Sequence, residues 1–239
     1  MIKKKNHEEL HSSFGGKYLK SWVYGGLDGV VTTFAVVAGV VGASLSSAII
    51  LILGFANLIA DGISMAVGDY LSTKSQGEYY KAEKGVEENE TKKNPREEIT
   101  RMGLLLIKKG FNRNDAKKIS FLISKNKNYQ ADTMLHDELG LAYENVNPGK
   151  NALSTFLAFL IFGMLPLIIF IIGTVFNITI KNSFFWASIL SGVSIFLLGV
   201  FKSKITNKNW FKSGMITFLI GGIAAVAAYF VGEILSKII

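Results

Sequence analysis

Cysteine is absent from all 239 residues. That excludes disulfides and thiolate metal sites, so any metal bound here must be held by oxygen, imidazole or thioether. Imidazole is scarce too, with three histidines in the chain. His7 and His11 are four residues apart near the N-terminus, a weak ligand spacing, and His136 stands alone in the polar middle of the chain. A di-iron oxidase needs Glu-x-x-His pairs on bundle helices, and the polar middle of the chain, with His136 alone, has no such pair. There is also no internal repeat at a solenoid period and no low-complexity run. A cleavable secretory signal is not expected, because the first apolar run is too long and follows a polar segment of about twenty residues.

Charge is missing locally. It is nearly absent from Trp22–Leu71 and Ala152–Val200 and dense between Lys74 and Lys150. The apolar runs predict five membrane spans at 21–43, 47–71, 152–176, 183–201 and 211–235. The expected fold class is an all-α integral membrane protein of five transmembrane helices, with a cytoplasmic helical insert between the second and third. The chain divides into an N-terminal amphipathic segment (1–20), spans one and two (21–73), a metal-binding insert (74–150) and spans three to five (151–239). Small residues in the last span (Gly221, Gly222, Ala224, Ala225, Ala227, Ala228) suit close helix packing in lipid.

The net charge of +8 resembles a nucleic-acid signal until it is mapped. Lys3, Lys4, Lys5, Lys17 and Lys20 precede span one, and the next link has no charge. Fifteen Lys and Arg lie between Lys74 and Lys150. The following loop has Lys181 alone, the next has Lys202, Lys204, Lys208 and Lys212, and the tail has Lys237. This alternation is the positive-inside pattern of a cytoplasmic N-terminus and an external C-terminus, here in the cell membrane. The expected partner from this map is the lipid bilayer, with no nucleic acid.

Inside the second span, Asn57, Asp61, Met65 and Asp69 are spaced i, i+4, i+8, i+12 and so line one side of a helix. A carboxylate at the bilayer centre costs about 2.5–3.5 kcal/mol on insertion scales, and is retained where it faces protein, water or a cation. A carboxylate, an amide and a thioether on one face suggest an ion pathway. Asp28 stands among Gly25, Gly26 and Gly29 in span one, where glycine admits a close neighbour.

The insert reads as helices at 75–93, 96–109, 114–124 and 132–139, punctuated by Pro95, Gly110 and Gly140, with Asn147-Pro148-Gly149 as the hinge into span three. Glu83, Glu87 and Glu90 share one helix face. Glu97 and Glu98 follow the Pro95 turn, and Met134 and Glu138 share a face on the last helix. Taken alone, a glutamate-rich helix with interspersed lysine is a solvated face, and a lone Met is core packing. Two Met-plus-carboxylate sets in one chain favour a transition metal such as Fe²⁺ over an alkaline-earth ion.

The strings Tyr24-Gly25-Gly26-Leu27-Asp28-Gly29 and Asp61-Gly62-Ile63-Ser64-Met65-Ala66-Val67-Gly68-Asp69-Tyr70-Leu71, followed by Glu78-Tyr79-Tyr80 and a Glu-rich helix, resemble the vacuolar iron transporter family over nearly the whole chain. The resemblance implies a homodimer that exports Fe²⁺, with Mn²⁺ or Co²⁺ as further cargo, by proton antiport and with no permanent cofactor. It implies a path at the dimer interface lined by Asp28 and Met65. It also implies an insert site made of Glu87, Glu90, Glu98, Met134 and Glu138, with Glu83 and Glu97 in support. Two positions depart from the family pattern. Asn57 replaces a usual glutamate while Asp61 adds a carboxylate one turn on, and Arg101 stands where another insert glutamate is expected. The expected activity is therefore non-enzymatic transport, against the alternative of a membrane-anchored metal sensor or buffer.

Overall fold

Backbone amides have no water to bond in hydrocarbon, so long apolar runs are driven into helices that satisfy every N–H internally. The computed structural model describes residues 13–142, 146–206 and 208–238, and every regular element among them is helical. Five helical stretches are long and apolar enough to cross a membrane. They are α1 (Ser13–Gly42), the first half of α2 (Ser47–Lys93), α6 with α7 (Pro148–Gly163 and Ile168–Val175), α8 (Ser183–Thr206) and α9 (Trp210–Ile238). Three shorter α-helices lie between α2 and α6: α3 (Pro95–Lys108), α4 (Arg113–Ser124) and α5 (Lys127–Glu138). His7, His11 and the start of the expected amphipathic segment lie outside the described residues.

Two compact units result, one from Ser72–Asn145 and the other from the remainder of the chain. Within the latter, α1 packs against α6, α8 and α9. Its Val30, Thr33, Val37 and Ala38 are fully buried. The approach of α1 to α6 depends on glycine. A Cβ on Gly25 would lie 2.5 Å from the Thr155 carbonyl oxygen, and one on Gly163 would lie 2.9 Å from that of Gly29. On α9 the tight contacts fall at Gly214, Gly221 and Gly232, whereas Gly222 meets nothing within 4 Å.

The third span is not the single helix expected over 152–176. It is interrupted by one 3₁₀ turn, Leu165–Leu167. Pro166 has no N–H to donate, and its ring collides with the carbonyl four residues earlier, so the α ladder breaks and resumes at Ile168. The break is buried at Pro166 and Leu167.

In the insert unit Pro95 occupies the first turn of α3, and Gly110 (φ 99°) and Gly140 (φ 67°) terminate helices in the left-handed region. Helix α5 begins at Lys127, five residues before the start expected at Asp132, because the Asn126 side chain accepts from the Tyr129 amide and caps an earlier turn. The apolar core of this unit is Met102, Leu106, Ala116 and Met134.

Candidate metal sites in the span and the insert

On α2, Gly54, Leu58 and Gly62 form a buried stripe, and Asn57, Asp61, Met65 and Asp69 run half-buried beside it. Ile59, Ile63 and Val67 are exposed. The four singled-out residues thus lie on the flank facing the rest of the chain, as an i, i+4 stack requires. Met65 packs against the core cluster that contains Phe34, Leu58 and Phe159.

The three carboxylates of this region have different surroundings. Asp69 is saturated: Asn151 Nδ2 donates to its Oδ1 at 2.9 Å, and the hydroxyls of Thr155 and Ser21 lie at hydrogen-bonding distance from its Oδ2, Ser21 at 3.2 Å. The Ser21 hydroxyl is closer still to Asn151 Oδ1, at 2.7 Å. Since one hydroxyl carries one proton, Ser21 divides its donation between these acceptors. Thr155 and Ser21 are buried, so Asp69 ties α2 to both α1 and α6. Asp28 and Asp61, by contrast, have no hydrogen-bond or ion-pair partner for their carboxylates among the described residues, and they lie within electrostatic reach of each other. The Asn57 amide Nδ2 and the Thr33 hydroxyl are buried and unpartnered. Two unpaired carboxylates within electrostatic reach of each other, one on each of two apolar spans, with a thioether in line with Asp61, form a donor set that suits a cation or a proton.

The insert brings its acidic residues together differently. Glu87 and Glu90 from α2, Glu98 from α3 and Glu138 from α5 converge on one side chain, Arg101 of α3. Its Nε donates to Glu138 Oε2 at 2.8 Å. Nη1 donates to both oxygens of Glu98 at 2.9 and 3.1 Å and lies 3.2 Å from Glu90 Oε2. Nη2 reaches Glu87 Oε2 at 3.2 Å and Glu138 Oε2 at 2.6 Å. Burial disfavours the charge on Arg101, but the Glu138 hydrogen bond and the charges of Glu87, Glu98 and Glu138 outweigh it and hold the guanidinium above its ordinary range. Burial raises the Glu87 carboxyl, aided by its neighbour Glu98 and opposed by Arg101, to about 7.

Met134 is 1% exposed and sits in the apolar core of the insert unit. Glu83 and Glu97 make no ion pair among the described residues. His136 is exposed and contacts its neighbour Asp137 at 2.8 Å. Sequence reasoning missed Ser21, Asn151 and Thr155 as partners of Asp69, since they lie 48, 82 and 86 residues away and carry no local signature.

The model of the VIT family matches residues 19–233. The chain is 39% identical to a protein of Toxoplasma gondii named vacuolar iron transporter, over 98% of this chain and 80% of that one. It is 34% identical to the Plasmodium falciparum protein of the same name, over 92% and 82%. It is 30% identical to vacuolar iron transporter 1 of Oryza sativa, over 94% and 87%.

Proposed function

The chain belongs to the VIT family, and on that premise we propose that it carries divalent transition-metal ions, Fe²⁺ before Mn²⁺ and Co²⁺, away from the cytoplasm in exchange for protons. The observation that carries this reading is the pair of unpaired carboxylates, Asp28 on α1 and Asp61 on α2, the latter in line with Met65 and Asn57. Oxygen donors accept most divalent ions, and a thioether favours the softer ones. A carboxylate that alternately holds metal and proton gives a physical route to antiport, because each must leave before the other binds. Asp69 closes the line at its cytoplasmic end.

A single chain supplies one Asp28 and one Met65, a sparse set of ligands for an ion stripped of water, so the path is completed in a homodimer. The relatives' names support iron as cargo. The alternation of basic residues supports a cytoplasmic N-terminus and insert. That orientation serves the cell membrane, which is our placement, and equally the vacuolar membrane of the relatives' names. The activity is transport, and no bond of a substrate is broken.

The test is uptake of Fe²⁺, Mn²⁺, Co²⁺ or Ca²⁺, supplied outside in parallel, by proteoliposomes with and without a pH gradient. Faster movement of Fe²⁺ than Ca²⁺, accelerated by an opposing proton gradient, is the expected result. Equal rates for Ca²⁺ and Fe²⁺ remove the role given to Met65, and indifference to the gradient removes antiport.

A further inference from the structure

The four glutamates of the insert already surround a cation. We propose that Arg101 is the resident cation of this unit: its guanidinium fills the place where a metal ion would otherwise bridge Glu87, Glu90, Glu98 and Glu138, and it ties α2, α3 and α5 together without metal. This goes beyond the transport reading and does not depend on it.

The geometry supports the assignment in three ways. The guanidinium is a planar fork of five N–H donors that matches carboxylates in the plane. Here its three nitrogens engage four carboxylates from three helices at 2.6–3.2 Å. A hard divalent ion needs oxygens at about 2.0–2.6 Å, and it would have to sit among the same oxygens, beside a fixed positive charge. Met134, whose thioether would add softness, is 1% exposed and packs with Met102, Leu106 and Ala116. Finally, Arg101 is 31% exposed at its side chain while Glu87 and Glu98 are 6% and 5% exposed. Removing the arginine would leave two buried carboxylates side by side, so the cross-link is structural and not a loose surface pair.

Two consequences follow from charge. The unit should fold and persist without metal, and one substitution, Arg101→Glu, should convert the cluster into a set of five carboxylates with no internal counter-ion, which a divalent ion would then fill. The experiment is equilibrium dialysis of the purified full-length chain in detergent against Mn²⁺, with bound metal quantified per chain. The variants are the parent, Glu90→Gln/Glu138→Gln, Arg101→Glu, and the last two combined. Glu90 and Glu138 are the more exposed of the four, so their amides should leave the fold intact. The parent and the double amide should bind equal amounts, Arg101→Glu should gain a further ion per chain, and the combined variant should lose that gain. A drop in binding from parent to double amide would overturn the proposal, since it would mean that metal displaces Arg101. So would an Arg101→Glu variant that folds and gains nothing. Hydrogen exchange of the parent supplies a check that needs no variant: protection of 83–102 and 127–138 should be unchanged by Mn²⁺, and increased protection there would overturn the assignment.

Discussion

At the scale of single residues, the three carboxylates of the spanning region are chemically unequal. Asp28 and Asp61 have no hydrogen-bond or ion-pair partner for their carboxylates among the described residues, so replacing them breaks no such bond while taking donors from the path. Asp28→Asn and Asp61→Asn are each expected to fold and to lower Fe²⁺ transport in proteoliposomes by about tenfold or more, the scale of losing one charged ligand contact of ~1.4 kcal/mol or more. Met65→Ala should lower Fe²⁺ more than Mn²⁺, because manganese gains less from sulfur. Asp69 behaves otherwise. Its oxygens are occupied by Asn151, Thr155 and Ser21, so Asp69→Asn breaks a buried set of hydrogen bonds and is expected to cost about 1–3 kcal/mol of stability. A thermal scan in detergent should show a lower midpoint for Asp69→Asn than for Asp61→Asn. Equal midpoints would mean that Asp69 is not an anchor.

At the scale of elements, α2 and α5 of the insert unit are joined by a second polar tie. Tyr80 donates to Asp132 at 2.7 Å, and Lys84 lies 2.6 Å from the same oxygen. Burial opposes ionisation of Asp132, but the hydrogen bonds from Lys84 and Tyr80 and the charge of Lys84 prevail and hold its carboxyl below the ordinary 3.8. A depressed acid contributes stability that is present above its unfolded value and lost as pH falls through its folded value. The advantage of the parent over Asp132→Asn in hydrogen exchange of α5 should therefore be full at pH 6 and vanish only at pH below 3.8.

The elements also show what a sequence can carry. Apolar runs with few charges marked five spans, and Pro95, Gly110 and Gly140 marked insert boundaries, because each acts through its own backbone. The start expected for α5 at Asp132 is five residues late, because the capping bond that Asn126 accepts from the Tyr129 amide sets an earlier first turn. The interruption at Pro166 was not anticipated within an apolar run. The convergence on Arg101 was not legible either. The family resemblance marks Arg101 as a departure from the pattern, but Glu138, 37 residues away, joins it only through the packing of α3 with α5.

At the scale of the whole molecule, the lack of cysteine that excludes thiolate chemistry makes the proposed orientation directly measurable. With no native thiol, any reaction with a maleimide reports an introduced residue alone. The links Ala43–Ser46 and Asn177–Asn182 are poor in basic residues, whereas the insert and the α8–α9 link are rich in them. If the basic residues set the orientation, the two poor links lie on the side away from the cytoplasm. Ser46→Cys and Lys181→Cys, each in an exposed or half-buried connection, should then react in intact cells with a membrane-impermeant maleimide, provided the chain resides in the cell membrane. Ser124→Cys in the insert and Lys208→Cys between α8 and α9 should react only after the membrane is opened. Residence in an internal membrane gives a distinct pattern, in which no site reacts in intact cells, while selective opening of the outer membrane exposes Ser124→Cys and Lys208→Cys first. Labelling of Lys181→Cys together with Ser124→Cys would place both links on one side, which one passage through α6 and α7 forbids, and the third span would then have to re-enter at the Pro166 break.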